Sequence, residues 1–378
     1  MDCPTVGAPA PGPLLSCALT PLPPKIIART SAPRLPIATT MVRFPFGKQF
    51  FMPTKELIYE LLDHLNVREL VPIVALNSFH TDLVRKYIAQ RFAIMAGRFF
   101  TNTAAFSKML TDLHAVVSGS AALHLMLAPK ATNWIPRDLD IYVSYRHEIS
   151  IYARMLNFGY FVVQEQDADE TLYIDSFIKQ VTTFFNGVRK VQVMFTKTST
   201  AFVPIFEFHS TAVMNFVSPS HLFSAYPDLT LNRLSMINPG AVYFGYFNIS
   251  VADALRKYRS RGFHYVNCDA LGGCSSQGRT LTDSKGFWLS MKGVPSLDKS
   301  ASELFASYDV VDVHWILGGR ICGVRGVCLQ PSFVLPRVDV IDNESYVALS
   351  YCTVKLADIV CSSILQGSMF EGSFNMAI

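Results

Sequence analysis

Between Thr54 and Gly97 the apolar positions recur at helical spacing. Leu57, Ile58, Leu61, Leu62 and Leu65 form one stripe, and Thr54 stands before it as an N-cap. Asn66 with Glu69 makes a capping-box pair ahead of Leu70, Val71, Ile73 and Val74. Phe79, Leu83, Val84, Tyr87, Ile88 and Phe92 mark a third helix. The pattern predicts a small three-helix module over 50–97. An amphipathic segment with Phe106, Met109 and Leu110 follows it.

From 113 the period changes to alternating strand and helix. Ala115–Val117 reads as a buried strand, Ser120–Leu127 as a short helix and Leu139–Val143 as a second strand. A helix over 147–157 closes at Gly159. Asn186-Gly187 predicts a hairpin with a type I′ turn, because that dipeptide tolerates positive φ. The hairpin's second strand is Lys190–Thr196, and Pro204–Phe216 reads as another strand. Ser250 and Asp253 open a helix that ends before Gly262. Short strands are expected at 309–316, 333–341 and 346–354. The expected class is α/β (α+β), a mixed sheet flanked by helices. Its divisions are 1–43, 50–97, 105–262 and an irregular, strand-containing 263–378.

Composition changes this picture in two places. The first forty residues hold nine prolines and one acid, Asp2, which predicts a disordered leader rather than a signal or transit peptide. Charged residues are only 16% of the chain and mean hydropathy is +0.27, so a membrane span has to be sought. No apolar run reaches the ~18 residues a spanning helix needs. Val310–Ile321 comes nearest, and Asp312, His314 and Arg320 interrupt it. The eight scattered cysteines read as reduced thiols of a cytoplasmic or nuclear protein. A net charge of +4 does not by itself imply nucleic acid.

The chemistry gathers in two stretches. Val116-Val117-Ser118-Gly119-Ser120 ends an apolar run in Gly-Ser, and Arg137-Asp138-Leu139-Asp140 carries two carboxylates two residues apart. Residues i and i+2 of a strand project to one face, so Asp138 and Asp140 share one space. Hard oxygens so placed suit Mg²⁺ or Mn²⁺. Gly119 leaves the backbone open to a phosphate, and the helix opened by Ser120 offers free N–H groups to an anion. Arg137 either grips a phosphate or neutralises an aspartate. The alternative is a βα turn whose Gly-Ser caps a helix beside solvated aspartates.

This order of motifs resembles the nucleotidyltransferase-fold superfamily: apolar residue, Gly-Ser, helix, then Asp-apolar-Asp. The resemblance covers roughly 110–260. It implies transfer of a nucleotidyl group from a nucleoside triphosphate to a hydroxyl, with Asp138 and Asp140 holding the metal and Gly119 and Ser120 the phosphates. The gap from Ser120 to Asp138 is longer than the family's, as an insertion at Ala128-Pro129-Lys130-Ala131 would make it. The family's active members carry a third carboxylate on a neighbouring strand. Val191-Gln192-Val193-Met194 is the natural strand and offers Gln192, which cannot act as a base. Phe206-Glu207-Phe208-His209 offers Glu207 or His209. A catalytically inactive member is therefore the second expectation.

The 50–97 module resembles an F-box in Met52-Pro53, Glu56-Leu57, Leu61-Leu62, Leu65 and the helix pair after Arg68. That implies a protein partner, the small adaptor subunit of a ubiquitin ligase. Asn77-Ser78-Phe79-His80 departs from the pattern, and a plain helical lead-in is the other reading. Arg256, Lys257, Arg259 and Arg261 interleave with Tyr258, Phe263 and Tyr265, which fits either a solvated face or a nucleic-acid contact. Cys268/Cys274 and Cys322/Cys328, with His264 and His314, are spaced more widely than most zinc ligands, so core thiols are expected. His209 is expected to be a satisfied, partly buried histidine.

Overall fold

A computed structural model describes residues 54–167, 176–238, 249–266, 278–291, 312–317 and 333–337. The expected leader at 1–43, the strand expected at 346–354 and the cysteines weighed for zinc lie outside the described residues.

The apolar stripes fold as helices: α1 (Lys55–Leu62), α2 (Val71–Val74), α3 (Ser78–Gly97) and α4 (Thr103–Asp112). Side-chain caps set three of the starts. Thr54 Oγ1 accepts from Leu57 N at 3.4 Å, Asn77 Oδ1 from His80 N at 3.1 Å and Asn102 Oδ1 from Ala105 N at 2.9 Å. The Asn66/Glu69 pair does form, with Glu69 Oε2 accepting from Asn66 N at 2.8 Å. It closes a turn rather than opening a helix, and α2 begins only at Val71, with Pro72 in its first turn where a missing N–H costs nothing.

The remaining elements follow in chain order. They are β1 (Val116–Ser118), α5 (Gly119–Met126), β2 (Asp138–Ser144), α6 (Glu148–Asn157), β3 (Phe161–Asp167), β4 (Ile178–Phe185) and β5 (Lys190–Thr196). Beyond these come β6 (Asn215–Val217), β7 (His221–Ser224), α7 (Pro227–Thr230), β8 (Leu234–Ser235), α8 (Ile249–Ser260) and β9 (His264–Tyr265). The last are β10 (Arg279–Thr280), β11 (Phe287–Ser290), β12 (Asp312–Ile316) and β13 (Phe333–Arg337). Eight strands form one mixed sheet in the order β11-β7-β6-β1-β2-β5-β4-β3. Within it β2 and β5 run parallel, and the other pairs run antiparallel.

Alternation divides this sheet between two cores. Val117, Leu139, Ile141, Val143, Val191 and Val193 pack with α3, α4, α5 and α6, in one cluster that also takes in Leu62, Val67 and Leu70. Val116, Tyr142, Met194, Phe216 and Phe223 face the other way, against Phe202, Phe206, Trp288 and Trp315. Asp138 and Asp140 share the parity of Tyr142 and so stand on this second face, near the sheet's end.

Two local expectations are corrected. Pro204–Phe216 is not one strand. It forms two 3₁₀ turns, at Val203–Glu207 and Thr211–Val213, before the short β6. Pro204 has no N–H to give a ladder, and the run is buried nearly throughout instead of on alternate residues. The hairpin turn falls at Asn186-Gly187, but Phe185 pairs with Lys190, so its loop is longer than a type I′ turn. Gly187 has φ +87°, while Asn186 Oδ1 accepts from Val188 N at 3.1 Å and Arg189 N at 2.8 Å. The asparagine side chain folds the loop by satisfying its N–H groups.

Candidate active site around Asp138 and Asp140

β1 runs antiparallel to β2 and sets Ser118 opposite Asp140. At Gly119 the chain turns from strand into helix with φ +63°. A Cβ at Gly119 would sit 3.3 Å from Asp140 Cγ and closer still to its Oδ2. Glycine is thus required twice, for the backbone angle and for the room the carboxylate occupies. Ser118 Oγ donates to Asn215 O at 2.6 Å and ties the turn to β6. Ser120 Oγ donates to Asp138 Oδ1 at 3.4 Å. The first turn of α5 therefore lies against both aspartates, and its positive dipole end favours their charge.

Both aspartates keep partial exposure, so the site opens to solvent. Burial, and then repulsion from Asp138, push the Asp140 carboxyl up to about 7, while Lys257 and Lys190 pull the other way. Arg261 lies within electrostatic range of Asp138 and of Arg137. Arg137 itself is exposed and forms no ion pair with either aspartate among the described residues.

The neighbouring strand β5 brings Gln192 into register with Asp140. In-register residues of parallel strands share a face, so the amide occupies the place beside the aspartate pair. Glu207 lies elsewhere. Its carboxyl accepts from Phe177 N at 3.2 Å, and Phe177 O accepts from Lys197 N at 2.8 Å just past the far end of β5. Burial raises Glu207 to about 8. No family model, curated protein or solved structure matches this chain.

Two neighbours were missed by sequence reasoning about the aspartates. Lys257 and Arg261 come from the basic run on and just beyond α8, and Arg261 Cζ lies 4.0 Å from the Trp134 ring centroid. Their four-residue separation was the available signal, since it puts both on one helix face. His209 differs from expectation. Its Nδ1 is buried with no hydrogen-bond partner among the described residues, and burial lowers its pKa to about 4.

The carboxylate pair fits a divalent cation in one respect. Burial first, and then repulsion between the two hard oxygen donors, raises the Asp140 carboxyl, and a cation between the pair would relieve that repulsion. Among the described residues no third His, Cys, Asp or Glu joins them. The pair suits one ion whose remaining ligands come from phosphate, water or a neutral amide oxygen.

Proposed function

We propose that this chain binds a nucleoside triphosphate with one Mg²⁺ or Mn²⁺ and, as a nucleotidyltransferase-like protein, transfers its nucleotidyl group to a hydroxyl acceptor, the acceptor oxygen bonding to the α-phosphorus as the α–β anhydride breaks and pyrophosphate leaves. The observation that carries this reading is the convergence at Gly119. There the start of α5 and both carboxylates of β2 meet in one partly open space. In it Asp138 and Asp140 hold the cation, and Gly119, Ser120 and the N–H groups of α5 face the phosphates. The bound cation would stabilise charge developing on the phosphate oxygens. Arg137 stands exposed at the rim, where it can meet an incoming anion.

The test is a thermal-shift titration of the full chain with each nucleoside triphosphate plus Mg²⁺ or Mn²⁺, beside Asp138→Asn/Asp140→Asn. A ligand that binds only the folded state must raise its stability at saturation. Metal-dependent stabilisation that the double variant loses supports the site. A well-folded wild type that shifts with no nucleotide removes the proposal.

A second reading has its own support: an inactive relative that works as an interaction protein. Gln192 stands in register with Asp140, and Glu207 is at the other end of β5. Among the described residues no third carboxylate joins the pair to take the acceptor's proton. On the F-box-like segment Leu57, Leu61, Leu76 and Phe79 are 53%, 61%, 65% and 53% exposed, as a face for a protein partner requires. Incubation with labelled triphosphates and mixed hydroxyl acceptors separates the two readings, because only the first yields a labelled product.

A further inference from the structure

The eight-stranded sheet ends differently on its two sides. At one edge β11 is covered, with Trp288 and Leu289 buried. At the other, every residue of β3 from Phe161 to Asp167 is exposed, and β4 is its one strand partner among the described residues. An edge strand has a row of backbone N–H and C=O groups that no neighbouring strand takes up, and natural edges are blunted by shortness, lysine or proline. β3 is seven residues long and contains neither lysine nor proline.

The strand carries two chemistries. Phe161 and Val163 are 64% and 58% exposed, and Val162 is exposed between them. Phe185, in register with Phe161, extends this apolar surface onto β4. A β-bulge between Val162 and Gln164 bends the strand, and beyond it stand Glu165 and Asp167. Tyr152 Oη donates to Glu165, but no lysine or arginine pairs with either acid among the described residues. Lys179 neighbours Gln180, the partner of Asp167, yet its ammonium lies over the Tyr145 ring at 3.8 Å.

A second copy of the chain fits this edge poorly. Paired antiparallel over its whole length, β3 would set Asp167 against Phe161 and Glu165 against Val163 of the other copy. Paired parallel in register, it would set acid against acid, and like charges directly opposite are destabilising. An apolar half and an unpaired acidic half are matched by a strand of unlike sequence.

We infer that β3 is a docking edge for an extended segment of another protein, which pairs antiparallel to it as a ninth strand, with basic residues opposite Asp167 and Glu165 and apolar residues opposite Val163 and Phe161. Read from its N-terminus, the segment is basic first and apolar afterwards. In such an addition main-chain hydrogen bonds supply affinity, and alternate side chains supply the choice of partner. The edge is separated from the aspartates of β2 by β5 and β4, so the inference stands apart from the nucleotide-binding reading.

The experiment measures binding of the labelled peptide Lys-Thr-Lys-Thr-Val-Thr-Val to the full chain by fluorescence anisotropy, beside Glu-Thr-Glu-Thr-Val-Thr-Val. The proteins are wild type, Val163→Lys, Glu165→Lys/Asp167→Lys and, as a control at an exposed apolar residue of α3, Ile94→Lys. The wild type should bind the basic peptide about tenfold or more tightly than the acidic one, Val163→Lys should lose about tenfold, and Ile94→Lys should match wild type. The charge-reversed variant should prefer the acidic peptide, a gain that a misfolded protein cannot produce. Amide hydrogen exchange should slow at 161–167 when the basic peptide is bound, as main-chain pairing requires. Binding that Val163→Lys leaves within about twofold, or a preference that charge reversal does not invert, overturns the inference. Exchange protection elsewhere than β3, or a wild type that does not bind the basic peptide, overturns it too. If sedimentation shows a dimer of the full chain that Val163→Lys separates, the edge belongs to a second copy and the inference falls.

Discussion

Replacing Gly119 by alanine tests the geometry on which the site depends. Gly119 has φ +63°, a left-handed angle that costs an L-residue with a Cβ roughly 1–2 kcal/mol. The new methyl would also press on Asp140, whose Cγ would be 3.3 Å away and whose Oδ2 would be closer. The carboxylate must swing aside, and a side chain forced off its rotamer costs about 0.5–1.5 kcal/mol. Together these predict a loss of about 2–3 kcal/mol and, at ~2–4 °C per kcal/mol in a domain of this size, a Tm lower by about 5–10 °C. The two parts separate in a double-mutant cycle. In an Asp140→Ala background the methyl meets no carboxylate, so Gly119→Ala should cost only the backbone strain, and the coupling should be about 1 kcal/mol. Equilibrium urea unfolding of the four proteins measures it. Additivity within ~0.5 kcal/mol, the range found for independent sites, would refute the claim that Asp140 fills the space beside Gly119.

Glu207 has its pKa raised from 4.5 to about 8, chiefly by burial, so the folded state holds a proton that the unfolded chain has released between those values. Stability should fall as pH rises through that window, and Glu207→Gln should flatten the slope in urea midpoints taken from pH 5 to pH 9; an unchanged slope would mean that Glu207 is not the group. Leu61→Asp, at a residue 61% exposed, should change stability by under ~0.5 kcal/mol, whereas Leu62→Ala, at 4% exposed, should cost ~2–4 kcal/mol by thermal melts. If the segment docks a ubiquitin-ligase adaptor, Leu61→Asp should lose that purified adaptor in a pull-down while the protein stays folded. Gln192→Asp would put a third carboxylate beside Asp140, lowering Tm without metal and raising the stabilisation given by Mn²⁺; a metal response equal to wild type would argue against a cation at the pair.

The strands and helices around the aspartates were legible because their patterns are local and strong. Leu139, Ile141 and Val143 are buried on one face as the alternation predicts, while on the other face Asp138 and Asp140 stay partly exposed and Tyr142 is buried in the second core. Gln192 could be placed beside the pair because β5 is a plain alternating strand. Glu207 could not be placed. It sits in a stretch where aromatic residues and Pro204 are buried without any period, and only tertiary packing decides where a side chain there points. The electrostatic influence of Lys257 and Arg261 on the aspartates was hidden for a related reason. A basic run on a helix names its residues but not its rotation, and here the burial of Tyr258 sets that rotation.

Helix α5 joins the site to the N-terminal helical segment through its two ends. Gly119 and Ser120 begin it beside the aspartates. At its other end Met126 O accepts from Val67 N at 3.1 Å, and Leu127 O accepts from Arg91 Nη2 at 2.8 Å. The carbonyls that close α5 thus find their donors in the preceding helical segment, as buried helix ends must. Leu62, Val67, Leu70 and Phe92 also share a core with Leu139 and Ile141 of the sheet. A chain cut between α3 and α4 would leave those carbonyls unpaired and that apolar surface in water, at the far end of the helix that sets the position of Gly119. Loss of nucleotide binding in such a fragment would report a disturbed α5 before it reported any partner-dependent regulation. The two proposed roles, a nucleotide site and a docking face, are therefore separable by point substitutions such as Asp138→Asn and Leu61→Asp, and not by truncation.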